Sequence, residues 1–97
     1  MEIEKIRVTE GNLKQLIKTG TVTKFIAQES YNEPLEFCLV GINTIAGTAY
    51  IVRHGRVNKL RFWRLHNLAR FLKSQQSEMT LEVQFKQQVK KGVLNEK

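Results

Sequence analysis

The chain has no aspartate, one cysteine and one proline, and it has no acidic residue of any kind between Glu36 and Glu78. Each scarcity excludes something. A general acid and base would have to be assembled from distant glutamates and one of two scattered histidines, His54 and His66, with no local spacing to bring them together. No phosphate-binding glycine loop, dinucleotide fingerprint or HExxH helix is present either, so the chain reads as a protein without enzymatic activity. The single thiol, Cys38, cannot close an internal disulfide, and with two separated histidines it cannot complete a tetrahedral zinc set. Set in the apolar run FCLV, it reads as a small buried hydrophobe. No metal or other cofactor is expected.

Long apolar runs are also missing. No stretch approaches the ~20 residues that cross a bilayer. The opening MEIEKIRVTE carries charge where a secretion signal needs an apolar core. A cytoplasmic protein with no membrane partner is the expectation.

What is present suffices for one domain. The 97 residues are 41% hydrophobic, enough for a modest core and too much for a disordered chain. Residues 1–97 therefore read as a single domain, with 86–97, KQQVKKGVLNEK, as a tail that is flexible or forms a weak helix ending near Gly92.

Taken in order, residues 1–8 alternate irregularly and read as a short edge strand or a frayed arm. Thr9 caps a helix with Leu13, Leu16 and Ile17 on one face and Gly20 as its stop. Strands follow over 21–29, 35–42 and 48–53, separated by turns at 30–34 and 43–47. His54-Gly55 is expected to close a tight hairpin into a further strand, RVNKLRF. Leu65, Leu68, Ala69 and Leu72 then mark one apolar helical face, with Arg64, Asn67, Arg70 and Ser74 opposite. After SQQSE, the run MTLEVQF alternates Met79, Leu81, Val83 and Phe85 inward with Thr80, Glu82 and Gln84 outward. The expectation is an α+β fold: a small antiparallel sheet of three to five strands with two helices packed on one face, in the order α-β-β-β-(β)-α-β.

Charge singles out one region. Residues 37–77 carry seven basic residues and no acid, whereas 1–36 hold five basic and six acidic residues and 78–97 hold four and three. The whole net charge of +7 thus belongs to the middle of the chain. Such asymmetry favours a phosphate backbone as partner. The candidate contacts are Arg53, Arg56, Lys59, Arg61, Arg64 and Arg70, with Trp63 as a stacking or docking residue beside Phe62. Aromatics at a strand-to-helix junction more often seal a core, so Trp63 has two readings. No base-reading module is visible, so little base specificity is expected. The other partner class is protein: an acidic partner docked on the charge, or a second copy joined through a sheet edge.

The strands EFCLV and TAYIV, the segment HGRVNKLRFWRLHNLARFLKS and the closing strand MTLEVQF together resemble the small ParC-type partition-associated proteins of bacterial plasmids and integrative conjugative elements. That family is unrelated to the topoisomerase subunit of the same name. The likeness spans residues 35–85 and carries no catalytic motif. It implies an accessory protein of a plasmid or other mobile element, acting in partition or maintenance with DNA, more than RNA, or with DNA-maintenance proteins.

Overall fold

The computed structural model describes residues 4–86. Its elements run β1 (Glu4–Val8), α1 (Glu10–Lys18), β2 (Lys24–Glu29), β3 (Glu36–Asn43), β4 (Thr48–Val52), β5 (Phe62–Arg64), α2 (Leu65–Ser74) and β6 (Thr80–Gln84). The fold is α+β with one sheet and two helices. The expectations for the tail fall almost wholly on residues 87–97, which lie outside the described residues.

The sheet is mixed rather than antiparallel. Its order is β1-β4-β3-β2-β6, with β5 pairing β3. β2, β3 and β4 form the expected antiparallel meander, but β1 runs parallel to β4 and β6 parallel to β2. Parallel neighbours require crossover connections, and α1 and α2 supply them. The described strands number six, one more than the upper expectation, because β5 continues along the edge of β3 that β4 vacates: β4 pairs Val40 to Asn43 and β5 pairs Glu36 to Cys38.

The local causes are ordinary. Thr9 caps α1 by accepting from the Asn12 backbone N–H at 3.1 Å while the Asn12 side chain reaches back to the Thr9 backbone, and Glu10 lies in the first turn. Gly20 takes the left-handed φ of +77° that follows the helix. Leu13 and Ile17 of α1 and Leu68 and Leu72 of α2 enter one core with Phe25, Ala27, Phe37, Leu39 and Val52. Alternate strand positions form a second, smaller cluster of Cys38, Val40 and Ala49 with Ile26, Ile42 and Ile51. Phe85, expected inward, is exposed, because β6 ends at Gln84 and the alternation no longer binds the next residue; its ring meets Phe37 edge-on at 5.8 Å.

Gly41 shows how closely the main core is packed. A Cβ there would lie 2.8 Å from Val22 Cγ1 and 3.1 Å from Phe25 Cε1. Gly41→Ala should therefore cost about 1–3 kcal/mol through overpacking, read as a lower urea midpoint with the slope unchanged.

Candidate nucleic-acid interface

The charged middle of the chain is built on the β4–β5 connection. Arg53 pairs with Leu60 in an isolated antiparallel bridge. The His54 N–H donates to Lys59 O at 2.9 Å and the Arg61 N–H to Val52 O at 3.1 Å. These bonds pinch off residues 54–59 as a six-residue loop, every member of which is exposed. The two-residue hairpin at His54-Gly55 and the strand RVNKLRF are thus corrected: pairing resumes only at Leu60, and β5 begins at Phe62. The loop is tied down from β1. Arg7 donates through Nη1 to Asn58 O at 2.8 Å and to Asn58 Oδ1 at 3.3 Å. The Arg53 N–H also donates to Val8 O at 2.8 Å.

The six cationic candidates separate by partner. Arg53, Arg56 and Lys59 lie at the base and along the exposed loop, and among the described residues none has a carboxylate within ion-pair distance. Arg53 donates to its neighbour's carbonyl, His54 O, at 2.9 Å. Arg70 is exposed on α2, eleven residues beyond Lys59, and shares the outer side of that helix with Lys73. Arg61 and Arg64 are committed elsewhere. Arg61 is ion-paired with Glu10 and its guanidinium lies 4.5 Å from the Trp63 ring centroid. Arg64 donates through Nε to Glu36 Oε2 at 2.8 Å. The acid-free run therefore does not act as one charge. Two of its arginines are neutralised by glutamates from other elements.

Trp63 is buried at 8% exposure, belongs to the main core and stacks on Phe71 with centroids 6.1 Å apart, the position of a residue that seals the core. Register explains this. Trp63 pairs with Phe37, whose side chain is in the main core, and so shares its face. Phe62, paired with Cys38, faces the other way and is 40% exposed. Sequence reasoning missed Arg7 as a loop anchor, and the signal was non-local: it lies 51 residues from Asn58.

Glu10, Arg61, Trp63, Phe71 and Lys14 form a closed circuit that joins the start of α1 to β5 and α2, since Lys14 also lies 3.8 Å from Glu10 Oε2 and 5.9 Å from the Phe71 centroid. The Glu10 side chain is about a third exposed, so solvent screens it. Glu10→Gln should cost about 1 kcal/mol from the ion pair and the helix dipole together. Equilibrium unfolding in urea, beside Arg61→Gln and the double variant, measures the coupling.

Cys38 is buried as expected, and burial pushes its thiol up from the ordinary value against smaller opposing effects of a backbone hydrogen bond and Lys86. Among the described residues no three His, Cys, Asp or Glu side chains gather as a metal set, and no helix is long and apolar enough to cross a membrane. Comparison with protein-family models, with curated proteins and with solved structures returns no match for this chain.

Proposed function

We propose that this protein binds nucleic acid through the phosphate backbone, with Arg56 and Lys59 on the 54–59 loop and Arg53 at its base as the principal contacts and Arg70 as a peripheral one. The observation that carries this reading is the gathering of two cations on an exposed, anchored loop and a third, Arg53, at its base, with no carboxylate paired to them among the described residues. Phosphate contacts of this kind fix position without reading sequence. Both helices cover the Phe37 face of the sheet in this reading, which leaves the loop and the Cys38 face to the partner. The role is that of a non-enzymatic cytoplasmic accessory protein of a plasmid or other mobile element, consistent with the likeness over residues 35–85, and its polymer is DNA.

A protein-docking or self-associating module is the alternative. It draws support from β1 and β6, each of which pairs along one side only among the described strands. Fluorescence anisotropy of labelled random-sequence duplex DNA across a salt series separates the two. Phosphate binding by these three cations predicts an affinity whose logarithm falls with log salt at a slope of about −3. Absence of binding at low salt overturns the proposal.

A further inference from the structure

We propose that the polymer is bound single-stranded, with one base held in the cleft between Tyr31 and Phe62; this rests on the phosphate reading and deepens it. The cleft, of about 390 Å³, has Tyr31, Asn32, Leu60 and Phe62 among its lining residues, together with one carboxylate, Glu29, and one ammonium, Lys86. Most of the aromatic side chains are spent on packing: Phe25, Phe37 and Trp63 are buried, and Tyr50 and Phe71 pack against the main core. Tyr31, Phe62 and Phe85 are not, and Phe85, 67% exposed, borders a different hollow beside Leu35 and His66. Tyr31 and Phe62 are 57% and 40% exposed, and both border this one cleft. Two aromatic residues at a cleft lined also by Asn32 and by Gln28, whose Nε2 donates to Gln84 Oε1 at 3.1 Å, suit a flat, heteroatom-edged ligand, which stacks by its faces and hydrogen-bonds by its edge.

The cleft borders the base of the cationic loop through Leu60, which lines it and is the bridge partner of Arg53. The charges that line the cleft balance, Glu29 against Lys86. The Lys86 ammonium lies 5.6 Å from the Tyr31 ring centroid. The buried Glu29 carboxylate is occupied, accepting from the Leu35 N–H at 2.7 Å and the Lys86 N–H at 2.9 Å, and these bonds hold the 30–35 turn against the end of β6. Glu36 is paired with Arg64, and Glu33 lies in the neighbouring hollow that shares Phe62 with the cleft. A duplex keeps its bases paired and stacked inside and cannot fill such a cleft without unstacking one. Preference for a single strand follows.

The test is anisotropy with a labelled oligothymidylate and a duplex of the same length, using the full chain and Phe62→Ala, Tyr31→Ala and Phe62→Trp variants whose circular dichroism matches the parent. The parent should bind the single strand more tightly. Each alanine variant should lose about tenfold in single-strand affinity while duplex affinity stays unchanged, and Phe62→Trp should retain the single-strand affinity. Equal binding of both polymers by the parent, or single-strand affinity indifferent to both alanine variants, overturns the base site and leaves the phosphate reading standing. The second of these results would assign the cleft to a different occupant, such as a protein segment. Failure to bind either polymer at low salt overturns both.

Discussion

Trp63→Ala should leave the protein largely unfolded at 37 °C. The side chain is 8% exposed, stacks on Phe71, and supports the Arg61 guanidinium that reaches Glu10. Removing a buried aromatic of this size costs roughly 3–5 kcal/mol, from lost transfer energy and the cavity left behind. Domains of this length have only about 5–15 kcal/mol in total, and small ones lie at the lower end. Urea unfolding followed by far-ultraviolet circular dichroism measures the loss. The outcome also decides between two roles for this residue. A variant as stable as the parent but unable to bind nucleic acid would make Trp63 a docking residue and contradict its placement in the core.

Arg56→Ser/Lys59→Ser should bind DNA about a hundredfold more weakly at low salt and remain as stable as the parent. Hydrogen bonds to charged groups contribute roughly 1.5–3 kcal/mol each, so two lost phosphate contacts reach that magnitude. Both residues are exposed loop positions with no ion pair among the described residues, so the fold has little to lose. Arg61→Glu/Arg64→Glu should behave in the opposite way. It places new carboxylates beside Glu10 and Glu36, replacing two attractions by two repulsions, and its main effect falls on stability. Circular dichroism and anisotropy on the two double variants therefore separate loop cations that meet the partner from arginines that hold the fold together.

The division of those arginines was not legible in the sequence, and the reason is distance along the chain. Arg61 finds Glu10 and Arg64 finds Glu36, partners 51 and 28 residues away. Composition shows that the middle of the chain lacks acid, but it cannot show that glutamates from the N-terminal third fold onto it. Local pattern did better. The spacing of Leu65, Leu68, Ala69 and Leu72 gives α2, although Ala69 is exposed rather than on the buried face; Asn67, Arg70 and Ser74 are exposed as expected, as is Arg64 at the N-cap. Thr9 and Gly20 bound α1 as expected, and the alternation of Met79, Leu81 and Val83 puts these residues against the core.

Pairing direction was harder. The turns between β2, β3 and β4 are short enough to require antiparallel neighbours, whereas nothing local reports where a crossover strand lands, so the parallel placements of β1 and β6 went unread. The 54–59 loop was misread because VNKLRF alternates well enough to imitate a strand, while bonds from β1 hold the segment out of the sheet. β5 is three residues long, too short for a phase to be read. Which of Phe62 and Trp63 faces inward is settled only by the pairing of Trp63 with Phe37.

If the loop cations meet phosphates, salt must weaken binding in proportion to the number of contacts. We would titrate labelled DNA with the parent and with Arg56→Ser/Lys59→Ser across one salt series. The account predicts linear plots of log affinity against log salt, with the slope of the variant shallower by about 2, close to one for each phosphate contact removed. Equal slopes for the two proteins, or binding by the parent that salt does not weaken, would contradict it.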